Sequence, residues 1–65
     1  MKLTKYRTPT HIVKIVIDSI GKKWIAATND FEFHDNHLDD LDWKSKEEAQ
    51  ADLDKIANDL GLEID

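Results

Sequence analysis

Residues 45–61 are the one stretch of this chain whose local structure is fixed by its own ends. Ser45 stands three residues before Glu48, the capping-box spacing in which each side chain satisfies the other residue's free backbone N–H. Gly61 sits where a left-handed cap ends a helix. Between them Ala49, Leu53, Ile56, Ala57 and Leu60 fall within a stripe of about 100° at helical spacing. Burying Leu53, Ile56 and Leu60 is worth roughly 1.5–3 kcal/mol each before entropy, so the stripe needs a surface to cover.

That surface is a sheet. Thr10, Ile12, Val13, Ile15, Val16 and Ile17 form a β-branched run after Pro9. Strand alternation places His11, Val13, Ile15 and Ile17 on one face, the expected core side, and Ile12, Lys14, Val16 and Asp18 on the other. Ser19-Ile20-Gly21-Lys22 supplies a turn in which Gly21 can take a positive φ. A second strand is expected from Lys23 to Thr28, or on to Phe33 past a bulge or turn at Asn29-Asp30. Trp24 and Ala26 fall on one face of it, Ile25 and Ala27 on the other. His34-Asp35-Asn36-His37 reads as a polar turn, and a third strand around Leu38–Trp43 completes a meander. The expected fold is α+β: a three-stranded antiparallel sheet packed by one C-terminal α-helix, in the order β-β-β-α. Residues 1–9 are expected to be a flexible basic tail and 10–65 the single domain.

Sixty-five residues without cysteine leave room for one small core and exclude disulfides and thiolate metal sites. The basic N-terminus lacks the apolar stretch of a secretory signal, and Ile15-Val16-Ile17 falls far short of a membrane span of about 20 residues. A cytoplasmic protein with no membrane association is expected. The scaffold also leaves little volume for a pocket that excludes water, which argues against an enzyme.

Charge divides the chain. Residues 1–28 sum to +5, with Asp18 their single acid; residues 29–65 sum to −10, with thirteen carboxylates against Lys44, Lys46 and Lys55. Such a field repels nucleic acid and attracts a basic partner surface. At 100° per residue Glu48, Asp52 and Asp59 share one helix flank, and Glu47 and Asp54 lie on the far side. Asp30, Glu32, Asp35, Asp39, Asp40 and Asp42 precede the helix. Together these nine make a candidate partner-binding surface, in which carboxylates stand where phosphates would opposite Lys and Arg. The plainer reading is that a charge-rich surface keeps a tiny domain soluble.

The remaining candidates have plain explanations. His34, Asp35, His37, Asp39 and Asp40 carry metal-ligating groups, but His-x-x-His without cysteine is a weak signature, and a calcium loop begun at Asp35 would put Lys46 where its bidentate Glu belongs. A solvated turn accounts for them, and neither metal nor cofactor is expected. No glycine-rich phosphate loop exists, and Ser19 and Ser45 serve turn and cap rather than nucleophilic chemistry. Of Trp24, Phe31, Phe33 and Trp43, core packing takes two or three, and one left exposed makes an interface anchor.

The strand, Gly21 turn, Trp24 strand and the helix opening Trp43-Lys44-Ser45-Lys46-Glu47-Glu48-Ala49 resemble the partial RNase-H-like domain of HicB-type antitoxins. They also resemble the arm-site DNA-binding domain of phage integrases, where a three-stranded sheet precedes a helix of similar opening. The antitoxin pattern has a Pro-Asp-Leu-Pro-Gly-like loop where this chain has Asn29-Asp30-Phe31-Glu32-Phe33, and the integrase domain is basic where this one is acidic. What these resemblances imply is architecture. In physical type the chain is similar to small acidic phage proteins that inhibit host defences, including anti-CRISPR proteins, which commonly mimic DNA. That likeness implies a non-enzymatic inhibitor whose acidic surface occludes a basic nucleic-acid-binding site on a partner, such as a defence nuclease, and which does not itself bind nucleic acid. The alternative is a HicB-like antitoxin or other small regulatory module, held to its partner by apolar contacts.

Overall fold

The computed structural model describes residues 3–65. Three strands, β1 (Tyr6–Arg7), β2 (Ile12–Asp18) and β3 (Lys23–Thr28), form an antiparallel sheet in the order β1-β2-β3. A short helix α1 (Phe31–Phe33) runs into a π-helical segment (His34–Leu38), and helix α2 (Lys46–Leu60) follows. The α+β class is therefore as the sequence implies, although one of its strands comes from a different place.

That strand is β1. Tyr6 pairs with Val13 and Arg7 with Ile12, so these residues belong to the sheet and not to a loose tail. Pro9 sits in the turn that joins β1 to β2, where its missing N–H is harmless. The turn is closed by Thr8 N–H donating to the His11 carbonyl at 2.9 Å and His11 N–H donating to Thr8 Oγ1 at 2.9 Å. Leu3 and Tyr6 pack against the core. Met1 and Lys2 of the expected tail lie outside the described residues.

The expected third strand over Leu38–Trp43 does not form: residues 31–38 are helical and 39–42 are a turn followed by irregular chain. Asp30 Oδ1 accepts from Phe33 N–H at 3.1 Å and caps α1, which ends the β geometry before Phe31. Phe33 and Leu38, both buried, are five residues apart, a spacing that the i→i+5 bonding of a π-helical turn brings to one side. Only Trp43 reaches the sheet: it exchanges two backbone hydrogen bonds of 2.8 Å with Trp24 at the β3 edge.

Register sets the faces. Val13, Ile15 and Ala26 point to α2 and are buried with Phe33, Leu38, Trp43, Ala49 and Leu53. His11 and Ile17, at the two ends of the same face, are exposed. Ser45 Oγ accepts from Glu48 N–H at 3.2 Å to start α2. At its far end Leu62 N–H donates to the Ala57 carbonyl at 2.8 Å and Gly61 N–H to that of Asn58 at 3.3 Å, with Gly61 at φ 70°, a Schellman cap. The buried face of α2 is rotated slightly from the expected stripe: Gln50 is buried and Leu60 is 42% exposed. Gln50 is satisfied there, accepting from Thr4 N–H at 3.0 Å and donating to Asp54 Oδ1 at 2.7 Å. After the cap the chain returns along β1, with Arg7 N–H donating to Glu63 and Asp65 N–H to Lys5. No helix among the described residues is long and apolar enough to cross a membrane.

Candidate protein-binding surface

The nine candidate acids divide into three groups. The first is Asp30 alone, which is 6% exposed. One carboxylate oxygen accepts from Phe33 N–H and the other from Thr10 N–H at 3.3 Å. These bonds, the Phe33 one foremost, hold its pKa below the usual carboxylate value. Its charged form therefore supports the fold at neutral pH, and that support is lost as pH falls through the lowered pKa. Asp30 is a helix cap and is removed from the contact surface.

Glu32 and Asp35 form the second group, exposed on α1 and the π-helical segment. The histidines of this segment diverge. His34 Nδ1 lies 3.7 Å from Asp35 Oδ1, whereas the His37 ring packs on Phe33 with centroids 5.0 Å apart. Among the described residues no three His, Asp or Glu side chains are placed to share a metal ion.

The third group converges. Asp52 and Asp59 line a groove with Leu41, Trp43, Lys55 and Ile56. Asp40 and Asp42 flank Leu41 in the chain, and Asp39 precedes them, all exposed. Glu48, one turn before Asp52, extends the same flank of α2. The two segments are held together by Trp43, whose buried indole Nε1 donates to Asp52 Oδ2 at 2.6 Å. Asp40 adopts φ 60°, a left-handed conformation that Asp tolerates better than most residues, and the turn presents Leu41 at 39% exposure. Lys23 pairs with Asp42 at 3.6 Å, both half-exposed, and such a contact is easily exchanged.

Leu41 is the residue that sequence reasoning missed. Its signal was present as an aliphatic residue inside Asp39-Asp40-Leu41-Asp42, masked by the strand expected over Leu38–Trp43. Phe33 and Trp43 are core residues, Trp24 is half-buried, and Phe31 is 73% exposed. Phe31, however, lies on a different groove, over the outer face of the sheet with Ile12, Ile25 and His34.

No family model matches this chain, and neither a curated protein nor a solved structure matches it.

Proposed function

We propose that this protein is a non-enzymatic inhibitor that covers a basic, nucleic-acid-binding surface of a partner protein with the acidic groove around Leu41. One arrangement supports the reading: an exposed leucine bracketed by Asp40 and Asp42 shares its groove with Asp52 and Asp59. An apolar side chain surrounded by charge has the layout of an interface core and its polar rim. The carboxylates meet Lys and Arg as phosphates do, and they steer a basic partner at long range. Asp39, Asp40, Asp42, Glu48 and Asp59 are the residues offered for contact. Asp52 contributes charge while also tying Trp43 in place. Glu32 and Asp35 belong to the adjoining segment and add to the field.

The test is recovery of a partner from a host lysate by the tagged protein at low and high salt, with a duplex-DNA competition lane. A nucleic-acid-binding enzyme displaced by both salt and DNA is the expected result. Reversal of Asp39, Asp40 and Asp42 to lysine should abolish that capture while the circular dichroism of the domain stays unchanged. Capture that survives the triple reversal removes the acidic groove from the mechanism. A small partner retained through high salt and excess DNA identifies instead an antitoxin-like regulatory module with apolar contacts.

A further inference from the structure

The outer face of the sheet has the opposite character to the acidic groove. The β2–β3 register places Ile12, Val16, Ile25 and Ala27 on this face, away from α2, and all four remain half-exposed. Ile12, Ile25 and Ala27 floor a groove with Phe31 and His34 at its rim. The chain has fourteen carboxylates in 65 residues, yet none lines this groove. Its one fixed charge is Lys14, exposed and without an ion-pair partner among the described residues. Arg7, opposite Ile12 in the register, adds a second cation beside it, 3.4 Å from Asp65. Lys14 in the middle of the face opposes stacking of two such faces on each other, because like charges would meet.

The same molecule carries the complement: an exposed leucine between two carboxylates. The geometry points to a second copy of this chain as the occupant of the outer sheet face, with the copy's Leu41 seated beside Phe31 and Ile25 and its Asp40 and Asp42 opposite Lys14 and Arg7. Two unlike surfaces meet in this contact, so it is heterologous, and a pair of copies retains one free donor surface and one free acceptor surface unless the rotation closes. Self-association hides the acidic groove and thereby makes its availability fall as concentration rises. The inference stands on the geometry of the two surfaces and not on which partner the groove takes. Its failure leaves the function proposed above untouched.

Analytical ultracentrifugation of the protein alone reads the prediction. At low ionic strength the weight-average mass should climb above the 7.5 kDa monomer as concentration approaches about 1 mM, and about 0.5 M salt should return it to monomer. Lys14→Glu and the Asp40→Lys/Asp42→Lys pair should each stay monomeric alone, yet associate when mixed, because the reversed charges again complement one another. Phe31→Ser, at an exposed position that leaves the core intact, should weaken association at least tenfold. A monomer at every concentration overturns the inference. So does association unaltered by Lys14→Glu and Phe31→Ser, or a mixture of the two charge variants that remains monomeric.

Discussion

The Trp43 indole donates its hydrogen bond to the Asp52 carboxylate across 2.6 Å while the Trp43 backbone pairs with Trp24 at the sheet edge. One residue thus joins the β3 edge, the core and α2, and it holds the 39–42 turn against the helix flank. Asp52 is therefore different in kind from the acids around it. Loss of a hydrogen bond to a charged group costs about 1.5–3 kcal/mol, and partial exposure places this one near the lower end. Asp52→Ala should lower stability by about 1–2 kcal/mol in thermal or urea unfolding. Asp42→Ala removes only an exposed ion pair and should stay within about 0.5 kcal/mol of wild type. Equal effects of the two substitutions would contradict the structural role assigned to Asp52.

On the other flank of α2, Tyr6 Oη donates to Asp54 Oδ1 at 2.5 Å. Ionising the phenol destroys that bond, and burial and the Asp54 charge oppose ionisation further, so the Tyr6 pKa is pushed up to about 12 from 10.0. Tyr6 is the single tyrosine, which makes its ultraviolet titration unambiguous. The absorbance midpoint should lie near 12 in the wild type and move toward 10 in Asp54→Asn. The linkage follows from the raised value: the pair's contribution to stability is complete below pH 10 and disappears as pH rises through about 12. Tyr6→Phe should flatten that part of the alkaline loss. A wild-type midpoint at 10 would show that the bond between β1 and α2 does not persist in solution.

The parts of the fold legible in the sequence are those whose signals are local. Ser45, Glu48 and Gly61 mark the ends of α2, and the alternation of residues 12–18 and 23–28 marks the hairpin, because caps and strand parity are read within a few residues. Strand β1 was hidden because two residues carry no period. Tyr6 and Arg7 become a strand only through their partners Val13 and Ile12 and through the returning Glu63–Asp65 segment. The 31–38 helix was hidden for a related reason. Phe31 and Phe33 alternate as in a strand, and the Asp30 cap that overrides them is seen only with its Phe33 and Thr10 partners in place. For the candidate surface, the common flank of Glu48, Asp52 and Asp59 was legible from the 100° rule. Its meeting with Leu41 was not, since the Trp43–Asp52 bond that joins them bridges two elements.

The β2–β3 turn holds its glycine one position too early. Asp18 Oδ1 accepts from Ile20 N–H at 3.1 Å and Gly21 N–H at 3.3 Å, and the residue forced into the left-handed region is Lys22, at φ 54°. The sequence suggested Gly21 for that conformation, but Gly61 is the glycine that adopts positive φ. A left-handed non-glycine residue costs roughly 1–2 kcal/mol, of which the greater freedom of an unfolded glycine returns about 0.5–1 kcal/mol. Lys22→Gly should therefore stabilise the domain by about 0.5 kcal/mol, a rise of roughly 2–4 °C in Tm for a chain of this size. Lys22→Ala removes the same charge and keeps the strain, so the difference between the two variants isolates the backbone effect. Gly21→Ala should act in the opposite direction, because its Cβ would stand 3.3 Å from Asp18 Oδ2, the carboxylate that organises the turn. Should Lys22→Gly and Lys22→Ala unfold at the same temperature, the left-handed geometry at Lys22 would not be a feature of the folded protein in solution.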